Sequence, residues 1–537
     1  MMVMPMRRRW NFMAMAFRFA LRLTIAMGLC FSFYTHTCVA AVVDREALLQ
    51  TAIYAMAVNS DFRSGVEFAQ RAVQMYPDEA HPHEWLAYGL AGLGRLDEAL
   101  EHYRTAAKLR GGSPRLNAAW LPLHINSEVL KLLGIRPVEV SAPANDKRCA
   151  AMFIPIPCFT PLLNWRAPEF LDRYNQMLVV YRRIDEGNWK AALRIHFKTP
   201  SLTRGSVDWT KDASLVALSL SMTMCCSCSR VGALPVEVQP LNVWISDEGE
   251  PVAVSKSGHI FWRGVKPGRG LANWFIEAAH EYGHHAFPPF GPFEGGHERY
   301  SGGMVSERLN AIWLLEMLTD GSLNLPEDVD VEQLKAQLQS YVETHFTNDM
   351  LNWFALLSST MEGERLRQMD MSSFLGMIEF AERLYSAELL GAAMRQSEGE
   401  DVKFLLKAID AQVRKAMASG MGIDTRCAFV LSDDGDVSSV LIAPLHKLSF
   451  SQPCRIAIPV WLPEGSFECE LLVDGVDVKA AVSIDGIPNA VAVQPNGQMH
   501  CLRFRVTIGG AWWHLLSIEF VGHGSISLKR LLVRELK

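Results

Sequence analysis

The sequence predicts a multidomain protein with an α-helical repeat region, a central α+β domain and a C-terminal β-sandwich. Its 537 residues correspond to three or four domains at about 150 residues each. A helical pattern repeats with an offset of 34 residues near the start, and strand-like alternation dominates after residue 422. With a net charge of −6 and no basic stripe, the chain is not expected to bind nucleic acid.

Residues 1–40 have the features of a signal peptide. Five arginines and no acidic residue precede the apolar run 23–34, which is long enough for a signal but short for a membrane span. Cys38 and Ala40 are the small residues expected before a cleavage site. We therefore expect an exported protein, periplasmic or secreted, whose net charge changes from −6 to −11 when the five arginines are removed. An uncleaved membrane anchor is the alternative.

Residues 45–110 are predicted to form helical repeats. The offset of 34 residues aligns three pairs of positions, which are Gly65 with Ala99, Ala69 with Tyr103, and Ala72 with Ala106. The period, and the packing of large residues over small ones, resemble tetratricopeptide (TPR-like) repeats. The resemblance implies a groove for a peptide or protein partner, and a packing spacer is the alternative. A third similar segment lies out of register at 187–193.

The rest of the chain is predicted in three parts. Residues 111–235 are expected to be a helical linker domain, with helices near 168–195 and 213–224. In residues 236–417, short apolar segments between turns predict a small antiparallel sheet, followed by a helix from about residue 271 to 286 and a helical subdomain. Residues 422–537 alternate between apolar and polar side chains in short segments, which predicts a β-sandwich.

The strongest motif is His280-Glu281-Tyr282-Gly283-His284. Positions i and i+4 lie on one helix face, so both histidines can bind one metal ion while Glu281 lies beside them. Histidine is a preferred zinc ligand, and a catalytic zinc site has three protein ligands and an open position. We therefore expect one Zn²⁺ here, with Glu281 as the general base that takes a proton from the attacking water.

This motif resembles that of the gluzincin metallopeptidases, over about residues 236–417. The resemblance implies a zincin-like catalytic domain, peptide-bond hydrolysis and a third metal ligand on a later helix, which is Glu307 here. Many relatives have an Asp four residues after this ligand, where this sequence has Ala311, so Asn310 is a candidate replacement. Alternative third ligands lie in the intervening loop, namely Glu294, His297 and Glu298.

That loop, residues 288–300, is rich in proline, glycine and aromatic residues and is expected to border the substrate cleft. His297 and Tyr300 are candidates for hydrogen bonding to the oxyanion, the role that a His or Tyr has in the resembled enzymes. Ordinary loop residues are the alternative for both. Segment 252–254 or 259–262 is expected to offer a strand edge to an extended peptide.

The cysteines leave the disulfide pattern open. Two of the 11 cysteines lie in the predicted leader, and the pairing of Cys149 with Cys158 is one option among the rest. The group Cys225, Cys226 and Cys228 is expected to be buried or disulfide-bonded, because no second Cys or His pair stands at zinc-ribbon spacing.

These observations predict an exported zinc-dependent metallopeptidase that acts on a peptide or protein substrate. A protein partner is expected at the helical repeats, and contact with a membrane only if the leader is retained. The alternative is a non-catalytic envelope scaffold with a vestigial motif. A third reading treats the terminal sandwich as a carbohydrate-binding module through Trp512 and Trp513, although paired core tryptophans are the commoner explanation.

Overall fold

The computed structural model describes most of the chain after the predicted leader. The described residues are 45–58, 60–112, 122–142, 149–155, 158–159, 165–166, 173–174, 176–197, 209–232, 240–249, 252–294, 298–359, 366–419, 422–423, 427–431, 437–442, 448–450, 454–475, 478–485, 487–488, 500–522 and 524–536. The predicted signal peptide lies outside them. The chain divides into two compact units, Met1–Leu93 with Asp97–Gly112, and Gly94–Leu96 with Ser113–Lys537.

The first unit is helical, as predicted. Its elements are α1 (Arg45–Ile53), a π-helical turn (Tyr54–Val58), α2 (Phe62–Met75), α3 (Ala80–Gly92) and α4 (Leu96–Arg110). Helices α2 and α4 begin 34 residues apart, at the offset seen in the sequence. The aligned small and large residues of these two helices are all buried, because each helix turns its apolar side to its neighbours.

A large mixed sheet opens the second unit. The elements of this part are β1 (His124–Asn126), α5 (Ser127–Leu132), β2 (Val138–Ser141), β3 (Ala150–Phe153), β4 (Cys158–Phe159), β5 (Trp165–Arg166), β6 (Arg173–Tyr174), β7 (Gln176–Asp185), β8 (Asn188–Phe197), α6 (Thr210–Val231), β9 (Leu241–Ile245), β10 (Val252–Lys256) and β11 (His259–Arg263). Nine described strands belong to the sheet, in the order β10-β11-β9-β8-β7-β3-β2, with β1 paired to β8 and β4 paired to β7. Strand β9 runs parallel to both β8 and β11, and the other pairs are antiparallel.

The prediction of a helical linker over residues 111–235 is wrong. The segment expected to be a helix near 168–195 contains the antiparallel strands β7 and β8, and the third repeat-like segment at 187–193 is the turn and start of β8. Residues 177–181 of β7 are all buried, and a strand covered on both faces has a continuous apolar run instead of an alternating one. Because β8 pairs with β9, the sheet also crosses the boundary predicted at residue 236.

Helix α6 is the central core helix of this unit, and a helix near 213–224 was predicted correctly. Its Asp212–Val231 portion is long and apolar enough to cross a membrane, but 72% of it is buried inside the protein. Cys225 and Cys226 are buried in it as predicted, and Cys149 Sγ lies 2.8 Å from Cys228 Sγ. The structure therefore brings Cys149 next to α6.

The elements that follow among the described residues, as far as residue 418, are helices. They are α7 (Leu271–Ala286), α8 (Gly302–Thr319), α9 (Val331–Ser359), α10 (Met371–Tyr385), α11 (Ala387–Gln396) and α12 (Val402–Ala418). Helix α7 packs against α6, α8 and β10, so the motif helix lies between the core helix and an edge of the sheet. The helical subdomain agrees with the prediction.

The C-terminal part has two antiparallel sheets whose apolar residues join one core, which agrees with the predicted β-sandwich. Its strands are β12 (Gly422–Ile423), β13 (Cys427–Leu431), β14 (Val437–Ile442), β15 (Leu448–Phe450), β16 (Cys454–Leu462), β17 (Gly465–Gly475), β18 (Val478–Ile484), β19 (Ile487–Pro488), β20 (His500–Ile508), β21 (Trp512–Gly522) and β22 (Gly524–Glu535). Trp512 and Trp513 are 5% and 1% exposed, so neither offers a flat surface to a sugar.

Candidate metal centre

Two contacts hold the motif helix α7 in place. Near its N-terminus, Trp274 donates its ring N–H to the buried carboxylate of Asp212 on α6, at 3.0 Å. Near its C-terminus, Gly283 allows α8 to approach closely, because a Cβ at this position would lie 2.3 Å from the Cβ of Ser306. The glycine inside the motif is therefore required by helix packing. Together these contacts set the position of the part of the helix that carries the histidines.

The side chains of His280, Glu281 and His284 form a cluster that could hold a metal ion, with their ligand atoms within 4.8 Å of one another. The two imidazole rings are nearly perpendicular, with centroids 5.1 Å apart. Both Nε2 atoms are close to Gly303 on α8. A Cβ added at Gly303 would lie 2.7 Å from Nε2 of His284 and 2.9 Å from Nε2 of His280. The spacing predicted from the sequence thus brings two imidazole nitrogens to one point.

A carboxylate from the preceding loop meets the same two nitrogens. Glu298 Oε1 lies 2.7 Å from Nε2 of His280 and 3.3 Å from Nε2 of His284. Burial alone raises the pKa of this carboxyl, but its bonds to the two histidines outweigh burial and lower the pKa to about 2. Glu298 was one of three loop alternatives in the sequence, and of the two that the structure describes, Glu294 and Glu298, it is the one that contacts the histidines.

Glu307, the predicted third ligand, contacts the other nitrogen of His280. Its Oε2 accepts a hydrogen bond from Nδ1 of His280 at 2.6 Å. Its Oε1 accepts hydrogen bonds from Arg308, at 2.6 Å, and from the hydroxyl of Tyr341 on α9. Burial alone would raise the pKa of Glu307, but these partners lower it. The structure therefore places Glu307 behind His280 and not at the meeting point of the Nε2 atoms.

His280 is held between two carboxylates. Burial by itself lowers the pKa of its imidazole, but the hydrogen bonds to Glu298 and Glu307 reverse the effect and raise the pKa to about 10. When protonated, both ring nitrogens can donate hydrogen bonds to these carboxylates. A metal ion at Nε2 would replace one of these protons, while Glu307 would keep the proton on Nδ1.

Glu281 is the most deeply buried charged residue of the motif, at 4% exposure. Its Oε2 accepts a hydrogen bond of 2.5 Å from Ser255 on β10, and the same hydroxyl contacts the backbone oxygen of Glu281 at 3.0 Å. Burial raises the pKa of Glu281 despite the lowering effect of the Ser255 bond. The motif did not identify Ser255, because the contact joins residues 26 positions apart on different elements.

The remaining predicted residues have different positions. Tyr300 is 39% exposed, and no described contact joins it to the histidines. His297 lies outside the described residues, and Glu294 is exposed in the loop. Asn310 does not replace the missing Asp of the resembled enzymes, because its amide bonds with Ser306 and Ser227. The sequence also did not identify Arg308 and Tyr341, whose contact with Glu307 needs α8 and α9 to be packed together.

Comparison with known proteins adds little. No protein-family model matches the sequence, and no curated protein matches it. The solved structures that it resembles include the module TmCBM61 with β-1,4-galactotriose, at 13% identity and TM-score 0.15 over 21% of this chain and 86% of that chain. A xylan-binding CBM22-1 domain from Paenibacillus barcinonensis has 17% identity and TM-score 0.14, over 16% and 65%. A carbohydrate-binding module from a Cellvibrio mixtus lichenase has 13% identity and TM-score 0.15, over 21% and 89%. TM-scores this low carry no argument about function.

Proposed function

We propose that this protein is a zinc-dependent peptidase with its active centre at His280, Glu281 and His284. The observation that carries the proposal is the meeting of two imidazole Nε2 atoms beside a buried carboxylate. When bound there, zinc would polarise the substrate carbonyl and make water acidic enough to attack near neutral pH. The proposal also includes export through the leader.

The donor set fits zinc. Two imidazole nitrogens with a nearby carboxylate are ligand types that zinc prefers, and catalytic zinc keeps one position open. The space in front of the two Nε2 atoms is bordered by Gly303, which has no side chain to fill it. The carboxylate of Glu307 on Nδ1 of His280 is the kind of partner that holds a zinc-ligating imidazole in one orientation.

Glu281 is suited to the proton transfers of hydrolysis. A general base works best when its pKa is near the working pH, and burial raises the pKa of this carboxyl. Ser255 holds one of its oxygens, so the other is available to take a proton from water and to deliver it to the leaving amine. Because one oxygen is held and the other is available, Glu281 is suited to act first as the general base and then as the general acid.

Strand β10 supports a peptide as the substrate class. Among the described strands it pairs only with β11, and it lies against α7 through Ser255. Val254 of this strand is 42% exposed. An unpaired strand edge can take up an extended peptide by backbone hydrogen bonds, which would bring its carbonyl groups alongside Glu281.

The proposal is tested by replacing Glu281 with Gln and measuring both bound zinc and hydrolysis of casein-derived peptides. We expect stoichiometric zinc and a loss of kcat of about 100- to 10,000-fold, because the variant keeps the shape but cannot accept the proton. The control is Glu277→Gln, one turn earlier on α7, where the carboxylate pairs with Arg269. Full hydrolysis by a zinc-loaded Glu281→Gln variant would contradict the proposal, and wild-type protein that binds no zinc would favour the non-catalytic scaffold.

A further inference from the structure

We infer that Glu298 is the third protein ligand of this metal centre, and that Glu307 is a positioning residue for His280. The inference rests on the metal site of the proposed function but not on its peptidase activity. It differs from the assignment that the sequence motif favoured, and three observations carry it.

The first observation is where the Glu298 carboxylate lies. Its Oε1 contacts the Nε2 atoms of both His280 and His284, at 2.7 and 3.3 Å. These are the two nitrogens whose lone pairs would meet at one cation. The carboxylate oxygen therefore lies beside both nitrogens, where it would attract a cation. A small retreat of this side chain, which is 28% exposed, would leave it bound to the same cation.

The second observation is that both oxygens of Glu307 already have partners. Oε2 accepts from His280 Nδ1, and Oε1 accepts from Arg308 and Tyr341. The side chain is 13% exposed. To reach a cation on the Nε2 side, Glu307 would have to give up its bonds to Arg308, which would keep only Asp349, and to the half-buried hydroxyl of Tyr341, which is costly. Its contact with Nδ1 instead fixes the ring so that Nε2 faces the metal.

The third observation is the glycine one turn before Glu307. Gly303 lies directly opposite the two Nε2 atoms, so a side chain at this position of α8 would be close to the metal. Because glycine has no ligand atom in its side chain, α8 cannot fill the third position from there. The loop that ends at Ser301 approaches the same space and carries Glu298. The third carboxylate thus comes from the loop and not from the helix.

The experiment measures zinc affinity of the full-length protein by competition with a chelator for four variants. Glu298→Gln removes the ligand charge, and Glu298→His offers a different zinc ligand at the same position. Glu307→Gln tests the positioning residue, and Glu294→Gln in the same loop is the matched control. Circular dichroism of each metal-free variant reports whether it has folded.

We expect Glu298→Gln to weaken zinc binding by more than about 100-fold, because it removes one of three protein ligands and not merely a partner of a ligand. Glu307→Gln should weaken it by about 10- to 100-fold, as is usual for partners of ligating histidines. Glu298→His should recover most of the zinc affinity. If residue 298 had only a structural role in the loop, a histidine at this position would not restore the affinity. Glu294→Gln should bind zinc like the wild type.

Several results would overturn the inference. These are an affinity of Glu298→Gln equal to that of Glu294→Gln, a larger loss in Glu307→Gln than in Glu298→Gln, or no recovery in a folded Glu298→His variant. If zinc binding depends on Glu298 but the protein hydrolyses no peptide, Glu298 remains a zinc ligand and the proposed peptidase activity is contradicted. Wild-type protein that binds no zinc would overturn both.

Discussion

Helices α9 and α10 each contribute to two buried regions of opposite character. One region, the polar junction, lies beside the proposed metal centre and consists of Glu307, Arg308, Tyr341, Asp349 and Glu379. Arg308 pairs there with Glu307 at 2.6 Å and with Asp349 at 3.0 Å. Glu379 is 1% exposed, and its carboxylate oxygens have no hydrogen-bond partner among the described residues.

The other region, the aromatic junction, joins the helices to the C-terminal sheets and consists of Trp353, Phe354, Phe380, Phe429 and Trp513. The ring centroids of Trp353 and Trp513 lie 5.7 Å apart, and those of Phe354 and Phe429 lie 4.6 Å apart. Buried aromatic pairs of this kind contribute apolar burial and favourable ring contacts. The helices and the C-terminal sheets therefore share one core.

The two junctions have different roles, stability for the aromatic junction and positioning of His280 for the polar junction. Asp349 and Trp353 lie one turn apart on α9, and Glu379 and Phe380 are neighbours on α10, so the two junctions are adjacent in the chain. Burial of rings stabilises the fold, whereas buried charges lose hydration and are often no more stable than apolar residues of the same size. We conclude that the aromatic junction holds the helices in place and that the polar junction orients His280 at a cost in stability.

The largest effect on stability is expected at the aromatic junction. Trp513→Ala should lower the free energy of unfolding by about 3–5 kcal/mol, because it removes a fully buried ring and leaves a cavity. Zinc affinity of the folded fraction should stay unchanged. Urea denaturation and chelator competition measure the two quantities, with exposed Leu366→Ala as control. Loss of zinc affinity in folded Trp513→Ala would show that the junctions are not separate.

A somewhat smaller effect is expected when the polar junction loses its cation. Arg308→Met should lower the free energy of unfolding by about 3 kcal/mol, because Glu307 and Asp349 stay buried without their partner. In contrast to Trp513→Ala, this change should also weaken zinc binding, since Glu307 loses a group that holds it on His280. The double variant Arg308→Met/Asp349→Leu should recover part of the stability but not the affinity. If the double variant is less stable than the single one, the unpaired aspartate is not the cause.

The smallest effect, taken per pH unit, is a pH dependence at Glu379. Burial, followed by the charge of Asp349, raises its pKa well above 4.5, although Arg308 and Arg383 oppose this. The folded protein thus keeps a proton that the unfolded chain releases above pH 4.5, so stability falls as the pH rises from 4.5 through the folded pKa. Glu379→Met should remove this loss of stability. The difference in free energy of unfolding between the variant and the wild type should therefore grow between pH 5 and 8, by at most about 1.4 kcal/mol per pH unit.

Denaturation series at pH 5, 6, 7 and 8 measure this difference. The control is Glu388→Met on the neighbouring helix α11, where the side chain is exposed and the same substitution should produce no pH dependence. A constant difference between Glu379→Met and the wild type across the series would mean that Glu379 is ionised in the folded protein.

Local patterns predicted much of this molecule. The positions of α7, β9–β11 and the C-terminal strands follow from helical or alternating periodicity, which acts over a few residues. Strand β7 was missed because a strand that is buried on both faces has no alternation, so its apolar run cannot be distinguished from that of a buried helix. Strand β8 was included in the same predicted helix although part of it alternates.

The sequence by itself determined that His280 and His284 share a face, because one turn of helix relates them. It also determined that Glu281 lies next to them. Only the tertiary structure decided which carboxylates meet them and on which nitrogen. Glu298 reaches both Nε2 atoms, and Glu307 reaches Nδ1, through the packing of α8 and its preceding loop against α7. Spacing along the chain does not encode such contacts, because they depend on where separate elements approach each other.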